Sequence, residues 1–195
     1  MLYRPATRWV YSYGEHFPLA AAHVRAAAER PVVLVIATVV SSTTARHQSL
    51  VMSTARARGI PVFRVTDHLL APFSSDNRRG YNANPCMTVA ERHATNINTM
   101  VAAAHAAAKQ VYRMRGDFLP RADAALAHAG QQLREARRYA RLFDLVHMLP
   151  EDMPEDDTES LMLWACGGKR LDGRERFVLS LMRHRAAPGA LQQAA

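Results

Sequence analysis

The stretch Val32-Val-Leu-Val-Ile-Ala-Thr-Val-Val40, followed directly by Ser41-Ser-Thr-Thr-Ala-Arg-His-Gln48, decides the architecture of the first half of the chain. Its first part is apolar on both faces, which predicts an interior strand covered on two sides. Its second part is rich in hydroxyls and predicts the start of a helix that Thr43 or Thr44 caps. We therefore expect a strand to end and a helix to begin at this strand–helix junction, residues 32–48.

The residues after the junction predict that a second strand follows the helix. The helix should run to Arg58 and end at Gly59, because glycine readily adopts the left-handed conformation found at helix ends. Ile60-Pro-Val-Phe-Arg-Val65 has the composition of a strand, and Pro61 places it at a strand start or a sheet edge. Strand, helix and strand in this order favour a parallel crossover.

The rest of residues 1–87 completes a predicted mixed αβ core. Arg8-Trp-Val-Tyr-Ser-Tyr13 is rich in aromatic and β-branched residues and predicts a strand. The alanine-rich segment from Leu19 to Glu29 predicts a helix. Residues 67–87 are crowded with Asp, Asn, Ser, Gly and Pro, which predicts a long irregular connection.

Residues 88–147 predict an antiparallel helical hairpin. Thr88-Val-Ala-Glu91 matches a reciprocal capping box, so a helix should begin near Val89. Small and apolar residues then recur at alternating spacings of three and four on both sides of Gly116. They are Ala94, Ile97, Val101, Ala104, Ala108 and Val111, then Leu119, Ala122, Leu126, Ala129, Leu133, Ala136, Ala140 and Phe143. Two such seams joined by a tight turn should bury Ala104 and Ala129 between two helices.

Residues 148–195 predict an acidic linker and short C-terminal helices. Six acids lie between Glu151 and Glu159 and indicate a solvated linker that could fold back on a basic face. Leu161-Met-Leu-Trp164 is a short apolar segment ended by Gly167, and Arg174–Ala187 has the pattern of an amphipathic helix. The predicted fold class is therefore α+β, with a small mixed sheet, a strand-helix-strand unit, a long antiparallel helical hairpin and short C-terminal helices.

Composition narrows the classes of function. The chain has 195 residues, a net charge of +8 and a pI near 10.2, which favour attraction to polyanions. No apolar run approaches the roughly 18 to 20 residues that cross a bilayer, and the first residues lack a secretory pattern, so we expect a cytoplasmic protein without a membrane partner. Cysteine and histidine spacings predict no metal site, and no glycine-rich nucleotide motif assigns a cofactor.

The strand–helix junction is the first candidate site. A helix start beside a strand end gathers free backbone N–H groups and the positive end of the helix dipole, where an anion can bind. Ser42, Thr43 and Thr44 would add hydroxyl donors, Arg46 a charge, and His47 a group for acid/base catalysis. In the alternative interpretation, Thr44 only caps the helix and His47 only packs against the neighbouring strand.

His16 is the second catalytic candidate. It lies in Tyr11-Ser-Tyr-Gly-Glu-His-Phe-Pro18, directly after the first aromatic strand. If that strand lies beside the central one, Tyr13 and His16 would meet His47 near the strand ends and form an acid/base pair beside hydroxyl nucleophiles. The alternative is a histidine at the surface or in ordinary packing.

An arginine stripe on the second helix of the hairpin is the third candidate. Its members recur at i, i+3, i+4 and i+7 and so share one helix face; they are Arg134, Arg137, Arg138 and Arg141. Such a stripe is typical either of a solvated face or of contact with a nucleic-acid backbone.

The motifs resemble a domain of unknown function found in bacteriophage and mobile-element proteins. The opening is similar to S-Y-G-x-H-F-P-x-A, and Ser41–Gln48 is similar to S-x-T-T-x-x-H-Q, where Ser42 departs from the residue that the family often carries. The likeness covers about residues 8 to 145. It implies a phage-infected or prophage-carrying bacterial host, and it marks these residues without naming a reaction: Tyr13, Gly14, His16, Thr43, Thr44, His47 and Gln48.

Three functions follow as expectations. The first is a phage-type accessory protein that binds a polyanionic partner, nucleic acid foremost, through its basic surface. The second is a small enzyme that acts on a phosphate-bearing substrate with His47 as acid or base. The third is an assembly or inhibitor protein that docks on another protein through its helical hairpin.

Overall fold

The structure is a computed structural model that describes residues 1–4, 9–12, 18–24, 31–66, 87–111 and 118–167. The chain divides into two compact units, Met1–Asn96 and Ile97–Ala195. A small mixed sheet followed by a long helix pair confirms the predicted α+β class. The elements, in chain order, are β1 (Leu2–Arg4), β2 (Trp9–Tyr11), β3 (Pro18–Val24), β4 (Pro31–Ile36), α1 (Ser42–Ala57), β5 (Val62–Val65), α2 (Val89–Gln110), α3 (Phe118–Leu142), a 3-10 turn (Val146–Met148) and α4 (Thr158–Ala165).

The described strands form one sheet in the order β1-β2-β3-β4-β5. The first three pairings are antiparallel, whereas β4 and β5 are parallel, with Val33 opposite Val62 and Ile36 opposite Val65. α1 connects β4 to β5 and packs on β3, β4 and β5. The predicted parallel crossover is therefore confirmed, and β5 ends the strand order as Pro61 indicated.

β4 is the interior strand that the apolar run predicted, but it is shorter than expected. Val32, Leu34, Val35 and Ile36 are buried, so both faces of β4 are covered. The last ladder bond joins the Ala37 N–H to the carbonyl of the final β5 residue at 2.8 Å. Residues 37–40 then leave the sheet and are exposed, and they form the connection to α1.

β3 corrects the helix predicted over residues 19–29 as far as Val24, and residues 25–29 lie outside the described part of the chain. Ala20 pairs with Val10 on one side and Val35 on the other, while Ala21 pairs with Trp9 and Leu34. The helix propensity of alanine exceeds that of typical strand-forming residues by less than about 1 kcal/mol per residue. Two ladders of backbone hydrogen bonds and burial beneath α1 outweigh it. β3 also separates β2 from β4, so the first aromatic strand does not lie beside the central one.

α1 begins at a different cap from the one predicted. Ser41, not Thr43 or Thr44, is the N-cap: its backbone is extended and its Oγ accepts a hydrogen bond from the Thr44 N–H at 3.1 Å. A cap's side chain satisfies the N–H three residues later, which places the cap at the first hydroxyl of the run. Gly59 follows the helix with φ +67° and confirms the predicted stop.

The two long helices match the seam pattern. Thr88 and Glu91 form the predicted capping box, since the Thr88 N–H donates to Glu91 Oε2 at 2.6 Å and the Glu91 N–H donates to Thr88 Oγ1 at 3.2 Å. In the unit Ile97–Ala195, Ala104 and Ala129 are both fully buried in one apolar cluster contributed by α2, α3 and α4. The helical hairpin is thus confirmed, with α3 ending at Leu142.

The acidic run is only partly a linker. Asp157 is the N-cap of α4 and accepts a hydrogen bond from the Ser160 N–H at 2.9 Å, so the helix begins inside the run. Hydrogen bonds from the side chain and backbone of Ser160 hold the pKa of Asp157 below its ordinary value. Leu161 and Met162 of α4 are buried in the helical cluster.

Several predicted features fall outside the described residues. They are Tyr13, Gly14, His16, residues 67–86, Gly116 and the helix expected over Arg174–Ala187. Within the described part of the chain, no helix has the length and apolar character needed to cross a membrane.

Candidate functional site

The hydroxyl run at the start of α1 is exposed to different degrees. Ser42 is exposed and Thr43 is half-buried, but Thr44 is fully buried. Thr44 Oγ1 lies 3.1 Å from Ser41 Oγ, so this hydroxyl supports the cap from the inside. Arg46, in the second turn, is exposed. Three of the four predicted anion-binding residues can therefore reach solvent, and Thr44 cannot.

Gln48 ties α1 to the carboxyl end of β4. Its side chain is 1% exposed, and its Nε2 donates to the carbonyls of Ile36 at 3.0 Å and Thr38 at 2.7 Å. These two bonds satisfy backbone acceptors at the point where the strand leaves the sheet. The Oε1 atom of Gln48 has no partner among the described residues. Gln48 thus fixes the position of α1 relative to the carboxyl end of β4.

His47 is held by a serine from a distant part of the chain. Its Nδ1 lies 2.8 Å from Ser12 Oγ, within hydrogen-bond distance. Ser12 directly follows β2 and is fully buried, while His47 is half-buried on α1. Because α1 packs across β3, a side chain of its second turn reaches the end of β2 even though β3 intervenes.

The expectation that Tyr13 or His16 lies near His47 falls on residues outside the described part of the chain. Among the described residues, Ser12 contacts His47, and it was not singled out from the sequence. Ser12 is part of the Tyr11-Ser-Tyr-Gly-Glu-His motif, so the resemblance contained the signal. The signal was missed because a serine with no acidic or basic neighbour is ordinary in a strand end.

The geometry limits the chemistry available to this pair. Ser12 has no exposed surface, so it is placed to orient the imidazole and not to attack a ligand. A hydrogen bond at Nδ1 fixes the orientation of the ring, and because a serine hydroxyl can donate or accept, it is compatible with either tautomer.

The arginine stripe on α3 is partly engaged by the acidic run. The Arg134 Nη1 lies 3.3 Å from Asp156 Oδ2, and Arg137 donates to Asp156 Oδ1 and to the Pro154 carbonyl. Arg138 and Arg141 are exposed. The acidic run therefore folds back on a basic face, and only part of the stripe is presented to solvent.

Comparisons with known proteins add no relatives: no protein-family model, curated protein or solved structure matches this chain. Among the described residues, no three histidine, cysteine, aspartate or glutamate side chains are grouped as metal ligands would be. The geometry of the strand–helix junction and of the arginine stripe is therefore the basis for a proposed function.

Proposed function

We propose that the start of α1 binds the phosphate group of a small molecule and that His47 acts as the acid or base toward it. The observation that carries this proposal is the 2.8 Å contact between Ser12 Oγ and His47 Nδ1. A fully buried hydroxyl that fixes a half-buried imidazole is the arrangement that orients a catalytic histidine. The contact joins two segments that lie 35 positions apart in the chain, so the imidazole is oriented by the fold and not by its neighbours in α1.

Neighbouring groups support an anionic ligand. The first turn of α1 has backbone N–H groups without intrahelical acceptors, and no acidic side chain lies in that turn. Ser42 and Thr43 can donate hydroxyl protons, and Arg46 adds a full positive charge nearby. Gln48 holds this turn rigidly against β4, which limits the entropy lost when a ligand is bound.

Nuclear magnetic resonance of the His47 ring tests the binding step. Titration with inorganic phosphate, and then with phenyl phosphate, should shift the ring signals of His47 but not those of His128, which is exposed on α3. Ser12→Ala should shift the ring signals of His47 in the absence of phosphate, because it removes the partner of Nδ1. If neither phosphate shifts the ring signals of His47, no phosphate binds at this site.

Turnover assays test the catalytic step. Phenyl phosphate and bis(p-nitrophenyl) phosphate represent monoesters and diesters, and the active ester should be cleaved about 10²- to 10⁴-fold more slowly by His47→Gln. His128→Gln is the matched control and should retain parental activity. Phosphate binding without turnover of either ester would restrict the protein to a binding role.

Nucleic-acid binding by α3 is a second proposal, favoured by the exposed side chains of Arg138 and Arg141. Docking on another protein through the hairpin stays a prediction. The motif resemblance supports a setting in the cytoplasm of a phage-infected or prophage-carrying bacterium for any of these functions.

A further inference from the structure

One carboxylate of the acidic run receives two guanidinium groups of α3. Asp156 Oδ1 accepts from Arg137, and Asp156 Oδ2 lies 3.3 Å from Arg134 Nη1. Each oxygen therefore has its own arginine, one helical turn apart on the same face. Two arginines that share the oxygens of one anion are also a common way to hold a phosphate group.

The acidic run packs against the backbone of α3. Gly130 is buried one turn before Arg134, and a Cβ at this position would lie 3.6 Å from the Asp156 carbonyl oxygen, which is ordinary van der Waals contact. On the other side of Asp156, Asp157 caps α4 and anchors the chain. The carboxylate is thus delivered to the stripe by a well-fixed segment.

The same contact is open to exchange. The side chain of Arg134 is 58% exposed and that of Asp156 is 33% exposed, so water and solutes reach the pair. Ion pairs at such exposure contribute little to stability, because solvent screens them. Arg137 is more buried and keeps a second acceptor in the Pro154 carbonyl, so it would stay ordered if the carboxylate moved away.

We propose that Asp156 occupies a phosphate subsite of the arginine stripe in the free protein, and that a phosphate of a nucleic-acid backbone replaces it on binding. The inference rests on the proposal that α3 binds nucleic acid, and it adds an internal competitor to that surface. Arg138 and Arg141 continue the stripe outward and would contact further phosphates. Replacement is favourable when several phosphates bind together. Each phosphate contact releases counterions from the nucleic acid, whereas the contact between Asp156 and the arginines releases none.

Two variants that remove the same charge separate this proposal from a general charge effect. Asp156→Asn removes the carboxylate between the arginines, whereas Glu155→Gln removes one from an exposed neighbouring residue that no described arginine contacts. Fluorescence anisotropy with labelled single-stranded and duplex oligonucleotides, over a series of NaCl concentrations, would give affinity and salt slope for each.

Asp156→Asn should bind more tightly than Glu155→Gln, because no carboxylate competes for Arg134 and Arg137, whereas the salt slopes of the two variants should be alike, because the same phosphates are contacted in both complexes. Adding Arg134→Gln and Arg137→Gln to Asp156→Asn should remove this difference. If the parent binds but the two single variants bind alike, or if Asp156→Asn binds more weakly, Asp156 is no competitor and the inference fails while nucleic-acid binding stands. If no variant binds at low salt, both proposals fail.

A measurement on the unmodified protein keeps the proposal testable should Asp156→Asn fold poorly. The Nε–Hε signals of Arg134 and Arg137 should move when an unlabelled oligonucleotide is added, because the anion they contact changes. Signals of these two arginines that stay fixed while the oligonucleotide is demonstrably bound would overturn the exchange of Asp156 for phosphate.

Discussion

Two alanine-rich segments of this chain, Leu19–Ala22 in β3 and Ala102–Ala108 in α2, adopt opposite structures. Their local composition is nearly the same, so the difference arises from their surroundings. The second segment lies inside a long seam with a capping box at its start, which supplies a helical period. The first is short and is paired on both edges by β2 and β4. Alanine is compatible with a strand and with a helix, and the surrounding residues determine which of the two forms.

The burial of the two segments differs in the same way. In β3 the consecutive residues Leu19, Ala20 and Ala21 are all buried, as expected for a strand covered on both faces. In α2, Ala104 and Ala108 are buried while Ala106 between them is exposed. Small side chains therefore serve two purposes: they let a sheet be covered closely, and they let two helices approach.

The largest expected effect comes from placing a larger side chain in the helical seam. Ala129→Leu should lower the free energy of unfolding by roughly 1 to 3 kcal/mol, because Ala129 is fully buried and the added atoms have no space. Ala127→Leu, two positions away and exposed, should stay within about 0.5 kcal/mol of the parent. Urea unfolding of both variants measures the difference. Equal stabilities would mean that the seam is not tightly packed.

Features set by local pattern could be predicted from the sequence, and features set by distant pairing could not. The capping box at Thr88 and the stop at Gly59 depend on neighbouring residues, and the parallel crossover follows from the order strand, helix, strand; all three were confirmed. The Ser12–His47 contact depends on where β2 lies relative to α1, which follows from the register of three strands. No spacing in the sequence encodes that register, so the partner of His47 was missed.

The same limit applies to the arginine stripe. Its period placed four arginines on one helix face, and the acidic run was expected to be able to fold back on a basic face. The choice of Asp156 among six acids depends on the cap at Asp157, which begins α4 and fixes the position of the preceding residue. Charge patterning alone cannot supply that constraint.

A second test places one substitution in both alanine segments. Ala22 in β3 and Ala103 in α2 are each half-buried, so valine adds the same atoms to similar environments. Ala103→Val should cost about 0.5 kcal/mol, because a β-branched side chain loses rotamer freedom in a helix. Ala22→Val should be neutral or stabilising by up to about 0.5 kcal/mol, because it faces Val33 across the strands.

Urea unfolding again gives the comparison, and the sign of the difference between the two variants matters more than either value. A destabilising effect at position 22 equal to that at position 103 would argue that β3 has no strand preference to satisfy. If Ala103→Val had a higher free energy of unfolding than Ala22→Val, the explanation of both segments would be wrong.

The smallest expected effect concerns helix starts, which also differ between the two units. α1 is capped by the neutral Ser41, whereas α4 is capped by the carboxylate of Asp157, whose pKa is lowered by hydrogen bonds from Ser160. A lowered folded-state pKa means that the carboxylate stabilises the fold above the ordinary value of 3.8, and that this stabilisation is lost as the pH falls through the lowered value.

Asp157→Asn keeps a good cap without the charge, so above pH 5 it should lower the free energy of unfolding by only about 0.3 kcal/mol. That difference from the parent should shrink toward zero as the pH falls below the ordinary value of 3.8 and the carboxylate is protonated. Ser41→Asn is the matched control, and its difference from the parent should stay constant over the same range. A pH-independent difference for Asp157→Asn would show that the charge of the cap contributes nothing to the start of α4.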